Sequence, residues 1–133
     1  MEDLVLHKVR IAVLWLFSEV AFLGEMVLTS LKPGVIDDIR SGEIQGLQIG
    51  QEVLLFYAFI VLFPLIMAFV TVTAKGSISR WANIVMGTVG VILSFVGLSM
   101  EFADPYAYAV TIWVAKILVN ASIIWLAYKW PKE

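Results

Sequence analysis

The sequence predicts an all-α, integral membrane four-helix bundle with antiparallel up-down topology, and three observations carry that expectation. The 133-residue chain is 61% hydrophobic and 15% charged, with a mean hydropathy of +0.92, well away from the average soluble mixture. Its apolar residues gather into four runs, at 9–30, 53–73, 81–100 and 106–128. Each run reaches the roughly 20 residues that an α-helix needs to cross about 30 Å of hydrocarbon. The connections at 75–80 and 101–105 are tight, so neighbouring spans should lie antiparallel and residues 1–133 should form a single domain.

The first run starts after Lys8 and Arg10, as a signal peptide would, but it carries Glu19 and Glu25 and is too long for an h-region. It is therefore expected to be a retained span. Glu19, Phe22 and Glu25 recur at i, i+3 and i+6. A face centred on Phe22 turns both carboxyl groups inward, about 60° to either side, with Glu25 roughly 9 Å nearer the outer surface. An ionisable group at mid-membrane costs about 2.5 to 3.5 kcal/mol on insertion scales and is a functional candidate by default.

Between the first two spans, Lys32 to Gln51 is the only long connection and contains KPGVIDDIRSG. Pro33 is placed to start, and Ser41-Gly42 to end, a short interfacial helix with Val35, Ile36 and Ile39 on the membrane surface and Asp37, Asp38 and Arg40 in water. Such a helix serves either as a packing element or as a lid over an outer opening. In the second span, Pro64 cannot donate to the carbonyl of Ile60, which predicts a kink near mid-membrane.

The third span carries the clearest packing signal. Asn83, Gly87, Gly90, Ser94, Gly97 and Glu101 recur at alternating spacings of four and three, which puts them on one helix face. Small residues let a neighbouring backbone approach closely, either within the bundle or between copies in a homo-oligomer. On the fourth span, Ala109, Trp113, Lys116, Asn120 and Ala127 share a face, with Lys116 and Asn120 one turn apart. Lys116 lies at the centre of the last run as Glu19 does in the first, so the two fall at the same depth. They are expected to form a clasp between the first and last helices, with Asn120 engaging the same partner. Such a pair is geometrically specific but gains little net stability, because desolvation offsets the attraction. A substrate or proton competing for either member would open it.

Orientation follows from lysine and arginine in the short flanks. Lys8, Arg10, Lys75, Arg80, Lys129 and Lys132 fall on one side, and Lys32 and Arg40 on the other. A plasma-membrane location with both termini cytoplasmic is expected. Trp81, Trp125, Tyr128 and Trp130 then anchor the inner interface, and Tyr57, Tyr106 and Tyr108 the outer one. The outer side collects Asp37, Asp38, Glu43, Glu52, Glu101 and Asp104, as either ordinary translocated-loop composition or a funnel for cations.

Cysteine is absent, which removes disulfides, iron-sulfur clusters and thiolate metal sites, and the one histidine, His7, lies outside the spans. No metal, cofactor or nucleic-acid partner is expected, and no nucleophile-base arrangement suggests an enzyme. Small multidrug transporters share the length, the four spans and a glutamate in the first span. Their compact first loop differs from the long connection here, as do the strong orientation bias and the lysine facing the glutamate.

Four motifs, LTSLKPG at 28–34, PLIM at 64–67, RWANI at 80–84 and IIWLAYKW at 123–130, together resemble a family of small prokaryotic four-span membrane proteins of unknown function. The resemblance spans most of the chain and implies an acidic residue near Glu25 in the first span. It implies nothing for Glu19 or Lys116, and no activity. Within RWANI, Asn83 suits capping the helix or reaching across it. The expected function is a non-enzymatic binding, scaffold or accessory subunit, assembled as a homo-oligomer or with another membrane protein, its ligand unidentified. The alternative is a small proton-linked or cation transporter using Glu19, Glu25 and Lys116, with Glu101 at the outer mouth.

Overall fold

Five helices and a two-stranded hairpin make up residues 2–131, which the computed structural model describes. In chain order they are α1 (Glu2–Ser30), α2 (Val35–Ser41), β1 (Glu43–Ile44), β2 (Leu47–Gln48), α3 (Gln51–Thr73), α4 (Gly76–Glu101) and α5 (Ala107–Tyr128). The four long helices are each long and apolar enough to cross a membrane. Lys132, one of the cations in the orientation argument, lies outside the described residues.

Three of the four long helices extend beyond their apolar runs. α1 begins at Glu2 rather than Val9, and α4 at Gly76 rather than Trp81. Hydropathy marks only the stretch suited to hydrocarbon, whereas backbone hydrogen bonding continues through polar residues. Glu2 and Asp3 in the first turn of α1 complement the positive end of its dipole.

α1 packs against α3 and α5, α5 packs extensively on α4, and α3 meets α4 much less. At one end of the bundle His7 Nε2 donates to the carbonyl of Leu126 at 2.7 Å, and Lys8 Nζ to that of Ala74 at 2.8 Å. At the other, Thr29 meets Tyr108 at 3.0 Å and Lys32 meets Glu101 at 3.6 Å.

Polarity is arranged from the inside out. Large apolar side chains such as Val20, Phe69 and Leu118 are exposed, at 69%, 69% and 63%, whereas Glu19, Glu25, Thr71, Ser79, Asn83, Ser94 and Asn120 are buried. In water that distribution would leave a continuous apolar surface far larger than soluble monomers tolerate. It fits a multi-pass membrane protein, whose solvent is hydrocarbon.

A well-packed core of Ile11, Ala12, Trp15, Met67, Ala68 and Ile123 fills the end near both termini. Within it Trp15 Nε1 donates to Asn83 Oδ1 at 2.7 Å, while Asn83 Nδ2 donates to Thr71 Oγ1 at 2.9 Å and to the Ser79 carbonyl at 2.8 Å. Ser79 Oγ donates to the Thr71 carbonyl at 3.1 Å. Asn83 thus reaches across to bind three helices together, and every polar atom of its side chain has a partner.

The small-residue face of α4 is filled by α5 of the same chain. A Cβ at Gly87 would come 2.8 Å from Ile124 Cγ1, one at Gly97 2.5 Å from Trp113 Cη2, and one at Gly90 would collide with the side-chain amide of Asn120. Of the two uses open to that stripe, these contacts are the one within the bundle. α3 continues as a single helix through Pro64, which is buried.

The connection between α1 and α3 holds more structure than the sequence suggested. α2 starts at Val35, after Gly34 in the left-handed region (φ 85°) rather than directly on Pro33, and ends at Gly42 (φ 93°). The hairpin that follows has no counterpart among the elements that the sequence predicts. Glu43 pairs with Gln48 and Ile44 with Leu47 around Gln45 and Gly46, at φ 49° and 77°. Positive φ at both central residues matches the right-handed twist of a two-residue hairpin. Tyr57 of α3 holds the tip, donating to Gln45 Oε1 at 3.2 Å.

Candidate functional site

Beyond the packed core, the four long helices separate around a cavity of about 460 Å³, with residues of α2 and the hairpin lining one end. Its lining includes Glu19 and Glu25 from α1, Pro64 from α3, Gly90, Ser94, Gly97 and Glu101 from α4, and Trp113, Lys116 and Asn120 from α5. Nearly all the residues singled out from the sequence therefore meet in one place. Asn83 and Gly87 do not, because they belong to the core end.

Glu19 is only 3% exposed, and neither carboxyl oxygen has a hydrogen-bond partner. The clasp expected between it and Lys116 is not made: among the described residues the ion pairs within 4.0 Å are Lys32–Glu101 and Arg40–Asp37 alone. The reason lies in Phe22, one turn after Glu19, and Trp113, one turn before Lys116. The Lys116 ammonium sits 4.6 Å from the centroid of each ring. Aromatic faces attract ammonium groups by about 0.5 to 2 kcal/mol, enough to compete with a partly desolvated ion pair. The two rings also support each other edge to face, 6.4 Å apart.

Asn120 departs from expectation too. Its Nδ2 donates to the Lys116 carbonyl at 2.8 Å and lies 3.4 Å from Ser94 Oγ, which turns the side chain toward α4 rather than toward Glu19. Its Oδ1 is buried without a donor, as Trp113 Nε1 is buried without an acceptor.

Glu25 is better served. Thr29 Oγ1 donates to its Oε1 at 2.7 Å and lies 3.0 Å from the Tyr108 hydroxyl. Because the threonine has one proton and gives it to Glu25, Tyr108 must donate to Thr29, forming a directed chain from α5 to α1. Nearby, Glu101 pairs with Lys32, whose ammonium lies 4.2 Å from the Tyr106 ring centroid. Burial lowers the pKa of Lys32, but Glu101 and Tyr108 outweigh it and leave the ammonium above its ordinary value.

Sequence reasoning missed the aromatic platform and the Tyr108–Thr29 chain. The platform had a signal, since Trp113 and Lys116 stand at i, i+3 on one face. The chain had none, because Thr29 and Tyr108 lie 79 residues apart. Among the described residues no group of three His, Cys, Asp or Glu side chains is arranged to hold a metal.

Four helices long and apolar enough to cross a membrane, around a largely apolar cavity that holds a few unmet polar groups, fit a small multi-pass membrane protein. The chain belongs to DUF6326, a family of unknown function, whose model matches residues 5–133. No curated protein and no solved structure matches it.

Proposed function

We propose that the chain is a non-enzymatic, four-span protein of the prokaryotic plasma membrane that binds a small polar ligand in the cavity around Glu19 and Lys116. One observation carries this reading. A carboxyl group 3% exposed with no hydrogen-bond partner shares a cavity of about 460 Å³ with an ammonium that, among the described residues, has no carboxylate within 4.0 Å. A purely structural pair would close on itself, because a buried charge without a counter-ion is strongly destabilising. Groups left apart around an open volume are arranged for something that enters.

The antiparallel up-down course of the spans is supported by the links at the two ends, His7–Leu126 and Lys8–Ala74 at one and Lys32–Glu101 at the other. Lys8, Arg10, Lys75, Arg80 and Lys129 gather at the first end, which supports cytoplasmic termini and a cavity mouth on the outer face. A homo-oligomer or an accessory role beside another membrane protein belongs to the same proposal. Its interface would use an outward apolar face, since the glycine stripe is taken up by α5.

The native chain has no cysteine, so single substitutions report cleanly. Ile60→Cys, on the cavity wall and only partly buried, should react with a membrane-impermeant thiol reagent added outside intact cells, and Val20→Cys, on the outward face, should not. An unreactive Ile60→Cys would sink the binding reading.

The second reading is proton-linked or cation transport, and the Tyr108–Thr29–Glu25 chain favours it by linking the cavity to the end near Lys32. Reconstituted protein should then carry a pH-dependent flux that Glu19→Gln abolishes. Flux equal in wild type and variant would remove it.

A further inference from the structure

We propose that the ligand of this cavity is a compact zwitterion, with an ammonium and an acidic group on a short, partly apolar body; the inference rests on the ligand-binding reading above. Its warrant is a set of unmet groups of two opposite kinds lining one volume. Glu19 offers two carboxylate oxygens with no donor. Lys116 offers an ammonium held only by ring faces, and Trp113 Nε1 is a second donor with no acceptor. An ammonium end satisfies the first kind and an acid end the second, while the body between them meets Phe22, Ile60 and Phe63.

Ligands of other charge fit less well. A simple cation brings a second ammonium into the space of Lys116 and leaves both donors unmet. A simple anion leaves Glu19 unmet and must pass Glu25, Asp38, Glu43 and Glu101, which line the same cavity. An apolar molecule leaves Glu19, Lys116 and Trp113 stranded in a low dielectric, where each uncompensated polar group is costly. A zwitterion leaves the net charge of the cavity unchanged and supplies both kinds of partner.

Phe22 gives the site its spacing. It stands between Glu19 and Glu25 on the inward face of α1, and with Trp113 it holds the ammonium away from the carboxylate. The gap so maintained is where the ligand's two ends would insert. The same chemistry occurs in free amino acids and in the ethanolamine headgroup of a phospholipid.

The test uses the purified full-length chain in a non-ionic detergent. Calorimetric titrations with glycine, 4-aminobutyrate and 6-aminohexanoate are set against butylamine and butyrate, and lyso-phosphatidylethanolamine against lyso-phosphatidylglycerol. Saturable binding of at least one zwitterion is expected, with its singly charged counterparts weaker by roughly 30-fold or more. Glu19→Gln should weaken that binding by a similar factor, and Lys116→Met should do so from the other end, so a folding defect in one variant does not decide the matter. Binding confined to the amino acids makes the ligand a solute, and binding confined to the lysolipid makes it a headgroup; either supports the zwitterion. Butylamine binding as tightly as 4-aminobutyrate would overturn it while leaving a ligand-binding cavity in place. Failure of every probe, with Ile60→Cys still reactive, would overturn the zwitterion alone.

Discussion

The two halves of this bundle treat their buried asparagines in opposite ways, although each half holds unmet donors, Arg80 Nε and Trp130 Nε1 near the termini and Trp113 Nε1 beside the cavity. In the half near the termini, Asn83 is fully buried and bonded at both its oxygen and its nitrogen, to Trp15, Thr71 and Ser79. In the other half, Asn120 is equally buried, yet its oxygen is unmet, as are both oxygens of Glu19 and the indole nitrogen of Trp113. In hydrocarbon a buried polar group is stabilising only when its partners are in place, and is a liability otherwise. The network on Asn83 therefore holds the helices together, whereas the unmet acceptors, all of them in the cavity half among the described residues, are groups that stability alone would not select.

The sharpest way to break that contrast is to make the same change in each half. Asn83→Leu leaves the Trp15 N–H buried with no acceptor and should cost about 2 to 3 kcal/mol in reversible unfolding in mixed micelles. Asn120→Leu loses little beyond a bond to its own helix and a long contact to Ser94, so its cost should stay below about 1 kcal/mol. Equal losses would mean that the two asparagines do the same job.

Next in size is Gly97→Ala, whose new methyl would meet the Trp113 ring. Overpacking costs about 1 to 3 kcal/mol, and the low end is expected because the ring borders a cavity into which it can shift. That shift would also disturb the platform beneath Lys116. Trp113→Phe in the same chain should recover part of the loss. A thermal midpoint that falls equally with and without that second change would show that the methyl clashes elsewhere.

Much of this arrangement was legible in the chain. The spans follow from hydropathy, and the α4–α5 contact from glycines at a regular small-residue spacing, because both signals are local to one helix. The gathering of Glu19, Glu25, Pro64, Lys116 and Asn120 around one volume followed from helix periodicity once inward faces were chosen. What periodicity does not reach is competition among side chains across helices. It put Glu19 and Lys116 at one depth, but two aromatic rings win the ammonium. Nor does it reach the Trp15–Asn83 bond, whose partners are 68 residues apart. The hairpin was hidden for another reason, since it needs Gln45, a residue without glycine's freedom, to adopt positive φ with Tyr57 holding it.

A third test asks whether the unmet groups are a burden in the empty protein. Glu19→Gln replaces a buried, unpartnered carboxyl by a neutral amide of the same shape, and should leave stability unchanged or raise it by up to about 1 kcal/mol. Lys116→Met should be similarly mild, and the double variant should depart from the sum of the singles by no more than about 1 kcal/mol, because the two charges share a cavity but make no ion pair. A large coupling between them would restore the clasp and dissolve the distinction between the halves.

The smallest effect concerns the cavity end of the bundle, where Lys32 joins Glu101 and the ring of Tyr106. Glu101 and Tyr108 outweigh burial and raise the pKa of Lys32, so the folded protein holds this proton more tightly than the unfolded chain does. For a raised value the stabilisation is complete below the ordinary lysine pKa of about 10.4 and disappears as pH climbs through the folded value above it. Across neutral pH the link should therefore be constant, worth under about 1 kcal/mol because both side chains, though partly buried, keep some contact with solvent. Lys32→Met should lower the thermal midpoint slightly and by the same amount at every pH from mildly acid to mildly alkaline, converging on wild type only in strong alkali. A difference that vanished below neutrality instead would assign the switch to a carboxyl group and not to Lys32, and would turn attention back to Glu101 and the acidic mouth of the cavity.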